Sequence, residues 1–93
     1  MDVEQAERLI EEILSGHCVK VSDHCRASMK ERGVTYDDLL AVLVVGRVKE
    51  TRQNTQSKEF VVTIEGKDSA GDPLIMQAVI LESERRVLCI TVY

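Results

Sequence analysis

The spacing of the apolar residues changes once along this chain of 93 residues, close to Gly46. Before Gly46, apolar residues recur at steps of three and four, which is the period of an amphipathic helix. From Arg47 onward they largely alternate with polar residues, which is the period of a strand. Helices followed by strands are typical of an α+β domain, so we expect N-terminal helices packed on a three- to four-stranded antiparallel sheet.

The length of the chain predicts one domain, residues 1–93. Hydrophobic residues make up 44% and charged residues 30% of the sequence, which is ordinary for a soluble globular protein. The longest apolar run, residues 39–45, is far shorter than the ~20 residues that span a bilayer. Residues 1–14 are acidic and amphipathic, unlike a signal peptide. We therefore expect a cytoplasmic protein without a membrane partner.

The N-terminal part of the chain predicts one helix and a short connection. Apolar residues share one face of a helix over residues 1–16, which Gly16 ends: Val3, Ala6, Leu9, Ile10, Ile13 and Leu14. Residues 17–21 are short and mixed in character, so they form either an extended connector or a minor strand. The remaining residues, 17–93, are expected to hold a pair of helices and an antiparallel meander.

The pair of helices is indicated by its end signals. Ser22 suits the N-cap of a helix, because its hydroxyl accepts from a free N–H of the first turn. Gly33 suits the left-handed position just past the last turn. Thr35 and Asp38 resemble a capping box with a short acid, and Gly46 closes the helix that they begin.

Four stretches read as strands: 47–51, 60–65, 74–81 and 87–92. The third is almost wholly apolar, which is typical of a central strand covered on both faces. Its period alone leaves a buried helix as the alternative. Polar and turn-forming residues separate the stretches.

The second predicted helix is the most basic part of the chain. It carries His24, Arg26, Lys30 and Arg32, and no other stretch combines an imidazole with as much positive charge. The formal net charge of the whole chain is −4, but residues 17–58 hold eight basic and five acidic side chains. A local basic surface is therefore expected on a protein that is acidic overall.

Short motifs along this region resemble a known family. They are His24-x-x-x-x-Met29-x-Glu31-Arg32-Gly33-Val34, a Gly-Arg-Val strand start and a closing Thr91-Val92-Tyr93. From about Lys20 onward, the sequence is similar to the domain-of-unknown-function 4258 family. That family has been grouped with the RelE/barnase-like fold, which includes metal-independent ribonucleases and toxin components. The resemblance implies a helical layer against a curved antiparallel sheet, and it implies an activity only weakly.

The resemblance also implies where a site would lie. Ser28 stands where the family pattern usually has arginine, so the transfer rests on His24, Arg32 and Tyr93. Cleavage of RNA by its own 2′-hydroxyl needs a base, a cation for the phosphate charge and an acid for the leaving oxygen. We assign these three as candidate catalytic residues, with His24 as base or acid, Arg32 on the phosphate and Tyr93 supplying a phenol.

Further basic residues are candidates for binding the substrate. Arg26 lies on the same helix and is an alternative to Arg32 for the phosphate. Arg47 and Lys49 lie on the first strand after the helices, where they would extend a basic groove. The hypothesis is a metal-independent endoribonuclease of a toxin-antitoxin module, without a cofactor, whose partners are RNA and an antitoxin protein.

Each of these residues also has a structural interpretation. A histidine at a helix start often caps or packs, and Arg32 beside Gly33 opposes the helix dipole. Arg26 then belongs to a solvated face, and Tyr93 anchors the chain at the end of a sheet. These interpretations predict a non-catalytic domain, which binds a partner or a second copy of itself through its first helix or its last strands.

The cysteines do not indicate a metal centre. His17-Cys18 and His24-Cys25 repeat a dyad, and Cys89 is a third thiol, but the spacing matches no zinc motif. Cys25 and Cys89 fit the apolar stripes of a core. The sequence therefore predicts no metal site, and an odd number of cysteines without paired spacing does not predict a disulfide framework.

Overall fold

The computed structural model describes residues 1–16, 19–54 and 59–93. These ranges form three helices, five strands and a 3₁₀ turn: α1 (Val3–Ser15), β1 (Val19–Val21), α2 (Asp23–Arg32), α3 (Tyr36–Val45), β2 (Arg47–Gln53), β3 (Phe60–Lys67), β4 (Pro73–Leu81), the 3₁₀ turn Glu82–Glu84, and β5 (Arg86–Val92). In these ranges, no helix has the length and apolar character that a membrane crossing requires.

All five strands belong to one sheet in the order β1-β5-β4-β3-β2. The pairs β2–β3, β3–β4 and β4–β5 are antiparallel, as expected, whereas β1 runs parallel to β5. The α+β prediction is confirmed, but the sheet is five-stranded and mixed rather than three- or four-stranded and antiparallel. The additional strand is β1, which has only three residues, too few to show a period, and whose Val19 pairs with the distant Val87.

The helix ends follow the predicted signals. The Ser22 hydroxyl accepts from the N–H of Cys25, and Gly33 is left-handed with a φ of 67°. Thr35 and Asp38 form a reciprocal capping box at the start of α3. A second capping box, between Asp2 and Gln5, begins α1 and was not expected from the sequence.

All three helices contribute to one core on the same face of the sheet. The buried residues of this core are Ala6, Ile10, Ile13, Cys25, Leu39, Val42, Leu43, Val48, Val62, Ile64, Leu74, Met76, Ala78, Ile80, Val87, Cys89 and Val92. Successive side chains of the central strand β4 point to opposite faces of the sheet, so one of its faces enters the core. On its other face Val79 is buried outside this core, and Ile75 and Gln77 are half-buried. The helices therefore cover one face of β4 rather than both.

The carboxylate of Asp38 joins the start of α3 to the turn between β3 and β4. Its Oδ2 accepts from the N–H of Thr35 at 2.8 Å, and its Oδ1 accepts from the N–H of Ser69 at 2.9 Å and from the Ser69 hydroxyl. The Ser69 hydroxyl, the Thr35 N–H and the Ser69 N–H hold the pKa of Asp38 well below its usual range. The ionised carboxylate is the form that the fold stabilises.

We expect Asp38→Ala to lower the melting temperature at pH 7 by about 5–10 °C, because a cap and a tertiary contact are both lost. A depressed pKa contributes stability above the unfolded value, near 4, and this contribution is lost as the pH falls through the folded value. The difference between the two melting temperatures should therefore begin to shrink below about pH 4 and continue to shrink as the solution becomes more acidic. Asp37→Ala, an exposed acid in the same turn, is the control. An equal pH dependence in wild type and Asp38→Ala would contradict this role.

Candidate functional site

The start of α2 lies beside the second half of β5. The N–H of Ser22 donates to the Cys89 carbonyl at 3.0 Å, and the Ser22 hydroxyl donates to the Ile90 carbonyl at 3.2 Å. Further along, the hydroxyls of Ser28 and Thr91 are 3.3 Å apart. We call this line of contacts the α2–β5 seam. Because the contacts follow the same order along both elements, α2 and the end of β5 run in the same direction.

The short strand β1 explains why α2 lies there. β1 pairs with β5 only as far as Cys89, and α2 begins two residues after β1 ends. Beyond Cys89, the free edge of β5 is therefore open to α2. A shift in the β4–β5 register leaves Ile90 without a partner, and Thr91 pairs with Gln77. Such a bulge bends a strand and redirects its side chains.

His24 and Arg32 flank Ser28 on one ridge of α2. They lie one turn before and one turn after Ser28, whose hydroxyl donates to the His24 carbonyl at 3.1 Å. Residues at such steps of four form a continuous ridge, about 12 Å long between His24 and Arg32. Both side chains are exposed, and neither makes a hydrogen bond or ion pair with the described part of the chain.

Tyr93 extends the seam in the direction of Arg32. Its main chain exchanges two hydrogen bonds with Ile75, at 2.8 and 2.9 Å, and its side chain is 45% exposed. Cross-strand partners share a face of the sheet, so Tyr93 lies with Ile75 on the face that the helices leave open. Thr91 pairs with Gln77 on that same face, and its hydroxyl still contacts the hydroxyl of Ser28. Arg32 ends α2 and Tyr93 follows β5, so their main chains lie toward one end of the seam, and His24 lies at the other.

Arg26 lies on another side of α2 from the ridge. Its guanidinium contacts the Asp23 carboxylate at 3.4 Å, and both side chains are largely exposed. It lines a shallow hollow of 460 Å³ with residues of β1 and with Tyr36, whose hydroxyl donates to the Val19 carbonyl at 3.4 Å. The structure therefore separates Arg26 from the seam.

Arg47 and Lys49 lie on β2, at the opposite edge of the sheet. Three strand spacings, or about 14 Å, separate β2 from β5. Arg47 contacts the carboxylate of Glu7 at 3.9 Å, and Lys49 contacts that of Glu65 at 3.5 Å. These two cations are therefore neither free nor close to the ridge of α2.

The thiols of Cys25 and Cys89 are core groups. Burial raises the pKa of the Cys25 thiol. Burial, with the neighbouring Cys25 thiol as a second cause, raises the pKa of Cys89 to about 12. Both side chains therefore stay protonated, which suits packing rather than metal binding or nucleophilic attack. The other dyad of the sequence, His17-Cys18, lies outside the described residues.

The contact between Ser28 and Thr91 was not expected from the sequence. In the sequence, Thr91 belongs to the closing motif, and Ser28 stands where the family resemblance implies arginine. The two residues are separated by 63 positions, and neither has a charge or a spacing that signals the other. The pairing depends on β1, which positions α2 beside β5.

A family model described as "Domain of unknown function (DUF4258)" matches residues 21–93. No curated protein and no solved structure matched the chain. The matched range contains α2, α3 and β2–β5, whereas α1 lies outside it. Since the match covers more than half of the sequence, the chain belongs to the DUF4258 family of domains of unknown function.

Proposed function

We propose that this protein is a small metal-independent endoribonuclease of the RelE/barnase-like group, a component of a toxin-antitoxin module, with its site along the α2–β5 seam. The observation that carries the proposal is the ridge of α2. His24 and Arg32 stand exposed on either side of the Ser28–Thr91 contact, and neither is engaged by an acid of the described chain. An imidazole and a free guanidinium on one ridge suit the recognition of a phosphodiester.

The proposed reaction forms a bond between the 2′-oxygen and phosphorus and breaks the bond between phosphorus and the 5′-oxygen. In it, His24 takes the proton of the 2′-hydroxyl as the general base. Arg32 donates two parallel hydrogen bonds to the phosphate oxygens, which carry more negative charge in the transition state. The leaving 5′-oxygen receives a proton from the phenol of Tyr93. Because His24 and Tyr93 lie at opposite ends of the seam, this step requires both side chains to turn toward a phosphate at its centre.

The two hydroxyls at the centre of the seam support this assignment. Ser28 and Thr91 lie between His24 and Arg32, and each hydroxyl donates one hydrogen bond. The Ser28 proton goes to the His24 carbonyl and the Thr91 proton to the Ser28–Thr91 contact, so a phosphate held between the two ends of the ridge would replace these contacts. Ser28 then supplies a shorter, neutral donor at the position where the family resemblance implies arginine.

A second candidate function is supported by the distribution of charge. Arg26, Arg47 and Lys49, proposed as substrate-binding residues, each contact a carboxylate. The net charge of −4 also opposes general binding of a polyanion. On this basis the protein is a non-catalytic domain that forms a homodimer or binds a partner, on the same scaffold.

The decisive experiment measures RNA cleavage in excess EDTA by the wild type, His24→Ala and Arg32→Ala. We expect His24→Ala to lower the rate by about 10²–10⁴-fold, the range that a general base contributes. Arg32→Ala should lower it by about 10²-fold, as the loss of a transition-state donor does. Lys30→Ala removes another exposed cation of α2 and is the matched control, with less than a twofold change expected.

The outcomes separate the two candidate functions. If the wild type does not cleave RNA at high protein concentration, the partner-binding function replaces the nuclease. If the wild type cleaves RNA and His24→Ala cleaves equally well, the α2–β5 seam is not the site. Circular dichroism of each variant checks that the fold is intact.

A further inference from the structure

A groove of 890 Å³ runs between α1 and the junction of α3 with β2. We call it the α1–α3 groove. One wall is a stripe of α1 that includes Glu4, Glu7 and Glu11, and the other wall includes Val44 and Val45. The groove is far from the α2–β5 seam, because β2 and β5 are separated by two strands.

The α3 wall of the groove is apolar and uncovered. Val44 and Val45 are each 68% exposed, whereas Val42 and Leu43 on the same helix are buried. Leu14, on the last turn of α1, lines the groove opposite them and is half-buried. Two adjacent aliphatic side chains at this exposure form a surface that a partner would cover.

The α1 wall of the groove carries three acidic residues and one basic residue, Arg8. Glu4, Glu7 and Glu11 recur at steps of three and four, so they share one face of α1. Glu7 accepts from the N–H of Val48 and contacts Arg47. Glu4 and Glu11 have no ion pair with any residue that the structure describes. With Glu7 paired to Arg47, the two remaining acids outnumber Arg8, so the groove keeps an excess of one negative charge toward an incoming cation.

We propose that the α1–α3 groove binds a basic amphipathic helix of another protein. The apolar stripe of that helix would pack on Val44, Val45 and Leu14, and its flanking lysine or arginine residues would pair with Glu4 and Glu11. α1 is about 20 Å long, which matches a partner helix of about four turns with anchors at i, i+3 or i+4, and i+7.

A second copy of this chain does not supply such a helix. Its basic helix is α2, but the apolar residues of α2, Cys25 and Met29, already pack against its own core. A partner of different sequence is therefore inferred.

The test is a selection of displayed helical peptides on the full chain, with Val44→Asp/Val45→Asp as the counter-target. We expect the enriched peptides to carry leucine or isoleucine at helical spacing and an excess of lysine and arginine. A synthetic peptide of the enriched sequence should bind Val44→Asp/Val45→Asp at least tenfold more weakly than the wild type. Glu11→Lys should weaken binding about fivefold or more, and Glu31→Lys, the same charge change on an exposed position of α2, by less than twofold.

Three results would overturn the proposal: enrichment of acidic peptides or of none, equal effects of Glu11→Lys and Glu31→Lys, or a wild-type dimer that Val44→Asp/Val45→Asp dissociates. The last result would show that the chain itself occupies the groove. Thermal unfolding of each variant shows whether it is folded, and both valines are exposed enough for the aspartates to be tolerated.

Discussion

Deleting residues 1–16 is expected to leave the rest of the chain unable to fold stably, although the family model matches only residues 21–93. Ala6, Ile10 and Ile13 are buried in the same core as the sheet. Burial of one isoleucine contributes about 1.5–3 kcal/mol, and the uncovered partners lose a similar area. For the two isoleucines and the partners that they cover, the sum is about 6–12 kcal/mol, which is comparable with the whole stability of a small domain, about 5–15 kcal/mol.

The deletion would also uncover the edge of the sheet. Glu7 accepts from the N–H of Val48, and the main-chain oxygen of Met1 accepts from the Thr51 hydroxyl at 2.8 Å. Without α1, β2 would present an unprotected edge, which favours aggregation. Circular dichroism melting and gel filtration measure both effects. Ile10→Ala is a milder variant, expected to cost about 2–5 kcal/mol. A truncated chain that melts cooperatively within a few degrees of the full chain would contradict the expectation.

Gly46→Ala is expected to destabilise the fold by about 3 kcal/mol, the upper end of what overpacking usually costs. A Cβ at Gly46 would lie 2.3 Å from the Val42 carbonyl oxygen and 2.9 Å from that of Glu65. Both atoms belong to the main chain of packed elements, α3 and β3, so neither moves aside without disturbing the core. Gly66 lies directly opposite, where a Cβ would come within 3.1 Å of the Gly46 Cα.

The measurement for Gly46→Ala is the melting temperature, which should fall by about 12–24 °C for a domain of this size. The matched control is Gly71→Ala. Gly71 has a φ of 89° and no atom within 4 Å of an added Cβ, so its substitution causes backbone strain without a clash. We expect it to cost about 1–2 kcal/mol. If the two variants melt at the same temperature, the close approach of the neighbouring main chain is not the reason that position 46 requires glycine.

The sequence was most informative where structure depends on neighbouring residues. The hydroxyls of Ser22 and Thr35 cap α2 and α3 as predicted, because a cap involves residues only three positions apart. Asp38 was identified as a cap for the same reason. Its bonds to Ser69 were not predicted, since they join a helix to a turn 31 positions later.

The candidate site was predicted less well than the helices. The excess of basic residues in the middle of the chain suggested that Arg47 and Lys49 would join His24 and Arg32. The strand order separates them, because β2 occupies one edge of the sheet and the α2–β5 seam the other. The local composition gives the number of charges in a region, but it contains no information about which strands become neighbours in the sheet.

The position of β5 between β1 and β4 has a consequence for biosynthesis. β5 is the last of the five strands to leave the ribosome, yet it is an interior strand that pairs with neighbours on both sides. The nascent chain cannot complete its sheet, or pack α2 against it, until the residues of β5 have emerged. Such long-range closure slows folding and leaves apolar surface uncovered in the meantime. Closure of the sheet around β5, and with it the docking of α2, should therefore be a late step in the folding of this chain.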